Sequence, residues 1–148
     1  MGKIIDENTI FLNKEFVSKE EALKDIAETA IALQIVDSYA EILQALLQRE
    51  EMVPTAVGKG VAIPHCKSEV VKDSKVFLYR LSNEIKWDEE EKVTLIFAII
   101  TNDQNSDHLS ILAKLSRNLL KESFLTKIKN ASSTKEVYEL INNILVEV

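Results

Sequence analysis

The chain has 148 residues, 46% hydrophobic and 28% charged, with a formal net charge of −6 at pH 7. That length and apolar content suit one soluble domain with its own core, and the acidic balance speaks against the basic face that nucleic-acid binding needs. A single cysteine excludes an internal disulfide framework, and two histidines cannot complete a structural zinc site, so neither metal nor cofactor is expected.

Membrane insertion is not expected either. The longest apolar runs, such as Val93 to Ile100 interrupted by Thr94, are too short to cross a bilayer. The first residues lack the basic start, apolar stretch and small-residue cleavage site of a secretory leader. Asp6 stands where myristoylation after Gly2 would require Ser or Thr. A cytoplasmic setting fits these features.

Taken in order, Thr9 to Leu12 is a β-branched and aromatic run closed by Asn13 and Lys14, which predicts a first strand. Ser18 with Glu21 forms a capping-box pattern. Ala22, Leu23, Ile26, Ala27, Ala30 and Ile31 then line one helical face to about Gln34. Ser38 with Glu41 opens a second helix, in which Ile42, Leu43, Leu46 and Leu47 repeat at helical spacing and Arg49, Glu50 and Glu51 close the C-terminal end. Pro54 breaks that pattern.

The stretch from Val57 to Lys67 concentrates rare residue types: two of the three glycines, one of the two prolines, one of the two histidines and the only cysteine. Glycine permits positive φ, while Pro64 fixes its own φ and pushes Ile63 towards an extended conformation. The pattern spells turn, short apolar strand, rigid stop, histidine. His65 is therefore expected at a strand end with its ring towards a loop, a position suited to chemistry and equally open to an ordinary loop histidine.

Lys75 to Leu81 alternates as a strand with one buried face, and Ile85-Lys86-Trp87 reads as a further short strand. Val93 to Ile100 is almost uniformly apolar, the signature of a central strand covered on both sides, so helices must lie on both faces of the sheet. Thr101 to Asp107 reads as a polar loop. Asp107 is expected to cap a helix starting near His108, with Leu109, Leu112, Ala113, Leu115 and Leu119 as its buried stripe. Phe124, Leu125 and Ile128 suggest a short helical connection. Ser133 with Glu136 starts a final helix whose Val137, Leu140, Ile141, Ile144 and Leu145 face the core. The whole chain, 1–148, reads as a single α/β domain.

Several chemistries fail on spacing. A nucleotide-cradling loop at Gly58-Lys59 would need glycine where Val53 stands and Ser or Thr where Gly60 stands. The chain has neither a Gly-x-Ser-x-Gly elbow nor a paired-histidine metal helix, and Asp88 to Glu91 reads as a solvated turn. Two histidines and an arginine are left, each at the end of a regular element. A neutral imidazole at His65 presents a lone pair that can attack phosphorus. Arg49 and the backbone N–H groups at the start of the His108 helix can steady the phosphoryl oxygens, and His108 can add a donor. Arg49 could equally do no more than complement its helix dipole, and His108 could be an ordinary first-turn residue.

Three blocks in order, Arg49-Glu50, Gly58-Lys59-Gly60-Val61-Ala62-Ile63-Pro64-His65 and His108-Leu109-Ser110-Ile111-Leu112-Ala113-Lys114-Leu115, carry a resemblance that runs from Ile10 to the last helix. On them the chain resembles the enzyme IIA domain, fructose–mannitol type, of the bacterial sugar phosphotransferase system. The resemblance implies a mixed β-sheet flanked by helices on both faces. It matches His65 to the phosphorylated histidine and Arg49 and His108 to residues around it. It also implies that a histidine-phosphorylated carrier protein donates the phosphoryl group and that a IIB domain or subunit accepts it, usually on cysteine. Cys66, next to His65 in an extended segment, is expected to point away from it and to be structural. The alternative the resemblance allows is a regulatory, nitrogen-related relative acting through phosphorylation-dependent binding.

Overall fold

The computed structural model describes residues 4–104 and 107–146, with the side chains of Asp107 and His108 outside the described residues. A 3-10 turn, Glu7–Thr9, leads into β1 (Ile10–Lys14), α1 (Lys19–Ala32) and α2 (Tyr39–Met52). Three short strands follow, β2 (Ala56–Gly58), β3 (Val61–Ala62) and β4 (His65–Ser68), then the long β5 (Lys75–Lys86) and β6 (Lys92–Asn102). The chain closes with α3 (Asp107–Leu119), α4 (Glu122–Asn130) and α5 (Thr134–Leu145).

Serine hydroxyls start three of these helices. Ser18, Ser38 and Ser133 accept the backbone N–H groups of Glu21, Glu41 and Glu136 at 3.2, 3.2 and 3.1 Å. Each such bond satisfies an otherwise orphaned donor, and its loss costs about 1 kcal/mol.

The sheet order is β1-β5-β6-β3-β2, with β4 also pairing with β6. β1 runs parallel to β5, and β3 and β4 run parallel to β6. β5 and β6 are antiparallel, as are β2 and β3. The sheet is therefore mixed, as the resemblance implied. On β6, Ile96, Ala98 and Ile100 enter the core shared with α1 and α2, while Leu95, Phe97 and Ile99 enter the core shared with α3, α4 and α5. Because strand side chains alternate, an unbroken apolar run is what two covered faces demand.

Some expectations are corrected. Ile31 is 38% exposed, whereas Ala22, Leu23, Ile26, Ala27 and Ala30 are buried. It lies about 100° round the helix from Ala30, past the stripe that meets the sheet. Lys75 to Lys86 is one continuous strand, not two. A register shift opposite β6 between Arg80 and Ile85 absorbs the exposed Ser82-Asn83-Glu84, whose polarity mimicked a break. Thr101 is a buried strand residue rather than loop. On α3 the buried positions are Ile111, Leu115, Asn118 and Leu119, while Leu109 is 75% exposed and Ala113 is exposed. The stripe starts at Ile111 and runs at i+4 and i+7 to i+8, so counting from Leu109 set the wrong phase. Asp107 is the first residue of α3 rather than the residue before it, and the preceding residue lies outside the described residues.

The arrangement around His65 follows from one proline. Val61 and Ala62 pair with Leu95 and Ile96, and His65 pairs with Ile99 in the same register, so β3 and β4 are one strand interrupted at Ile63-Pro64. Pro64 has no N–H for the ladder, although its carbonyl accepts the Ile99 N–H at 3.0 Å. β2 pairs with β3 only, so among the described strands none covers the outer edge of β4. His65 is thus the first residue of a strand, not the last residue of one. The turn between β2 and β3 takes three successive positive φ values, 94° at Gly58, 58° at Lys59 and 78° at Gly60. Glycine accepts that geometry freely, while Lys59 is held there with its Nζ donating to the Leu120 carbonyl at 2.8 Å.

Candidate active site

Two side chains that sequence reasoning singled out meet at the open edge of β4. The His65 ring is half-buried, with Nδ1 2.8 Å from the Ile63 carbonyl oxygen. A carbonyl can only accept, so Nδ1 carries the proton and the lone pair lies on Nε2. Arg49, in the last turn of α2, donates its Nε–H to His65 Nε2 at 3.1 Å and an Nη1–H to the Val53 carbonyl at 2.7 Å. The guanidinium therefore does more than complement the helix dipole, because it binds the ring directly.

Burial is the main force holding the His65 pKa below its ordinary 6.5, and the Arg49 charge pushes the same way. The hydrogen bond to Ile63 and the charge of Glu50 act in opposition and are outweighed. The ring is consequently neutral at pH 7, with a defined tautomer and its nucleophilic nitrogen against a guanidinium.

The site opens to solvent. A groove of about 340 Å³ between α2 and β4 is lined by Gln48, Arg49, Met52, His65, Cys66 and Lys67. Met52, in its lining, is 77% exposed, so apolar surface lies beside the charged groups. Lys67 lies two residues beyond His65 on β4, on the same side by strand alternation, and is exposed. Cys66 points the other way, into the core under α1 and α2, where burial pushes its thiol up to about 12. Only the thiolate is a nucleophile, so Cys66 is a packing residue. The backbone of His108 lies in the first turn of α3, and its side chain falls outside the described residues.

Sequence reasoning assigned no role to Glu50 beyond its place beside Arg49. Its carboxylate is buried and accepts the Thr55 N–H at 3.1 Å, the Thr55 hydroxyl, the Trp87 Nε1–H at 2.9 Å and Lys19 Nζ at 3.5 Å. A signal was available. Ile42, Leu46 and Glu50 are spaced four apart, so the acid continues the buried stripe of α2. The run from Asp88 to Glu91 is the turn it was read as, with Asp88 Oδ1 accepting the N–H groups of Glu90 and Glu91 at 2.8 and 2.7 Å.

Fold and site together define an α/β domain that presents a neutral imidazole and a guanidinium at an open sheet edge. The sequence profile described as "Phosphoenolpyruvate-dependent sugar phosphotransferase system, EIIA 2" matches residues 3–144, and the chain belongs to that family. It is 32% identical to a fructose-specific EIIA component from Haloferax volcanii, over 92% of this chain and 90% of that protein. It is 27% identical to the 2-O-alpha-mannosyl-D-glycerate-specific EIIABC component of Escherichia coli over 92% of its length, but spans only 21% of that larger protein.

Among solved structures it is similar to the nitrogen regulatory protein IIA-Ntr of Neisseria meningitidis, with a TM-score of 0.86 and 27% identity over 93% of this chain and 96% of that one. It is also similar to a structure of the E. coli enzyme IIA-mannitol with phosphorylated enzyme IIB-mannitol, at a TM-score of 0.79 and 26% identity, covering 92% and 95% of the two chains. Among the described residues no helix is long and apolar enough to cross a membrane.

Proposed function

We propose that this domain is a phosphocarrier of a sugar phosphotransferase system, with His65 as the phosphoryl acceptor. A histidine-phosphorylated carrier protein is the donor and a IIB domain or subunit is the recipient. The observation that carries the reading is the His65 tautomer, with Nδ1–H on the Ile63 carbonyl and the Nε2 lone pair facing the groove-lining Arg49.

In the accepting step the Nε2 lone pair attacks phosphorus, the donor's N–P bond breaks, and the donor ring retains that electron pair. No proton leaves His65. The phosphorylated ring becomes an imidazolium whose charge the Ile63 carbonyl stabilises through Nδ1–H. The second transfer reverses these events, with the thiolate of a IIB cysteine as nucleophile. Arg49 Nε–H occupies the lone pair in the resting state, so it must turn from nitrogen to a phosphoryl oxygen as the group arrives. A guanidinium offers the planar fork that such an oxygen pair requires. His108, in the first turn of α3, belongs to the same proposal as a donor to the phosphoryl group, on the strength of the family motif.

The IIB partner seen with the mannitol relative supports the choice of recipient. The likeness to the nitrogen regulatory protein is one of fold and brings no regulatory partner with it.

The test is incubation with phosphoenolpyruvate and the general phosphorylating proteins, followed by intact mass. One acid-labile phosphoryl group is expected on the wild type and none on His65→Ala. An acid-labile label persisting on His65→Ala would overturn the assignment.

A further inference from the structure

A buried carboxylate is costly to desolvate and is kept only where donors surround it. Glu50 is 6% exposed, and its donors come from three separate segments: the loop after α2 through Thr55, the residue following β5 through Trp87, and the first turn of α1 through Lys19. The Thr55 contact continues into the site. The Thr55 carbonyl accepts the Ile63 N–H at 3.0 Å, and the Ile63 carbonyl accepts His65 Nδ1–H at 2.8 Å. His65 Nε2 accepts Arg49 Nε–H at 3.1 Å, and Arg49 is the chain neighbour of Glu50. The hydrogen bonds form a closed circuit that leaves α2 at Glu50, passes through both nitrogens of the histidine, and returns to α2 at Arg49.

We propose that Glu50 is the positioning residue of this centre: by anchoring Thr55 it fixes the Ile63 carbonyl, and that carbonyl sets the His65 tautomer and the alignment of Nε2 with Arg49. Glu50 touches neither the ring nor any phosphoryl group, and acts through the peptide segment between them. Without the anchor, the Thr55 and Ile63 segment loses its tie to α2, and the ring is released to the Nε2–H tautomer, whose lone pair lies on Nδ1 and no longer faces Arg49. The proposal rests on the reading of His65 as the acceptor.

Trp87 supplies an internal control, since it binds the same carboxylate from outside the circuit. The experiment compares Glu50→Gln, Thr55→Val and Trp87→Phe with the wild type. One readout is the ¹⁵N–¹H spectrum of the His65 ring in the unphosphorylated domain. The others are thermal stability, and the rate of phosphorylation as a function of carrier concentration.

In Glu50→Gln, ring signals should move towards the Nε2–H tautomer. The rate at saturating carrier should fall about tenfold or more, with the carrier concentration for half-maximal rate almost unchanged, as expected when a reacting group is misplaced rather than a docking surface lost. Thr55→Val should move both in the same direction by less, because the Thr55 N–H bond survives. Trp87→Phe should lower the melting temperature and leave the tautomer as it is.

A Glu50→Gln protein that folds and keeps the wild-type tautomer and saturated rate would overturn the proposal, leaving Glu50 a packing residue. If Glu50→Gln does not fold, Thr55→Val decides alone, and a wild-type tautomer there overturns it. The tautomer is read without any phosphoryl transfer. A shifted tautomer in a domain that is never phosphorylated on His65 would therefore sink the functional reading while upholding the positioning role.

Discussion

His65 and Ile99 are register partners on adjacent strands, yet one is a half-buried imidazole at an open edge and the other a fully buried core residue. β6 is flanked by strands on both edges and by helices on both faces, so every position from Leu95 to Ile100 is apolar and closed to water. β4 shares its register but lies at the edge, beyond the reach of β2, with α2 bringing Arg49 over it. The rigidity of β6 is thereby lent to β4 without full burial of His65. A reactive imidazole needs that combination, since a backbone held to a central strand fixes the ring while an open edge admits a partner.

The sharpest way to break this contrast is to cut each strand in turn. Phe97→Ala should destabilise the domain by about 3–5 kcal/mol, because it empties a large buried site under α3 to α5. His65→Ala should change stability by only about 1 kcal/mol or less while abolishing phosphorylation. Urea unfolding and intact mass on both variants check the pair, and comparable destabilisation would mean that the edge and the centre are not mechanically distinct.

Arg49→Lys tests what the edge gains from α2. The Nε–H to His65 and the Nη1–H to Val53 are made by one planar group, and an ammonium cannot keep both directions. Single-turnover phosphorylation should slow by about 10²-fold although the charge is retained, a loss typical of removing one preorganised donor. Equal rates in the two proteins would leave the Arg49 contact with His65 a structural one with no part in transfer.

The smallest effect is the most specific to partial burial. Burial first, and the Arg49 charge second, hold the His65 pKa below 6.5, so a proton titration of the ring should give a midpoint under that value. Between the folded midpoint and 6.5 the unfolded chain binds more protons than the folded one. The His65 contribution to stability is therefore fully present above pH 6.5 and is lost as the pH falls through the folded midpoint. Phosphoryl acceptance should likewise persist to lower pH than a free imidazole allows. A midpoint at or above 6.5 would show the ring to be solvated like any loop histidine.

Much of the fold was legible because its signals are local. The serine caps at Ser18, Ser38 and Ser133 act over three residues, and the Val93 to Ile100 run states its own two-sided burial through a period of two. Rare residue types likewise drew attention to Val57 to Lys67. Local reading went wrong where a neighbour decides the phase. The exposed Ser82 to Glu84 concealed a bulge that keeps β5 in one piece against β6, and the face α3 turns to the sheet begins at Ile111, not Leu109.

His65 and Arg49 could be picked out in the sequence, but not the geometry in which they meet. That His65 and Arg49 meet, sixteen residues apart, requires β4 to lie on the edge of β6 with α2 across it. Which ring nitrogen holds the lone pair is set by the Ile63 carbonyl, a backbone group whose position no side-chain pattern encodes. Glu50 shows the division most plainly. Its spacing from Ile42 and Leu46 is written in the sequence, so its burial could be read there. Its partners Thr55, Trp87 and Lys19 converge from three segments, and because hydrogen bonds are short only the folded chain decides which donors come within reach.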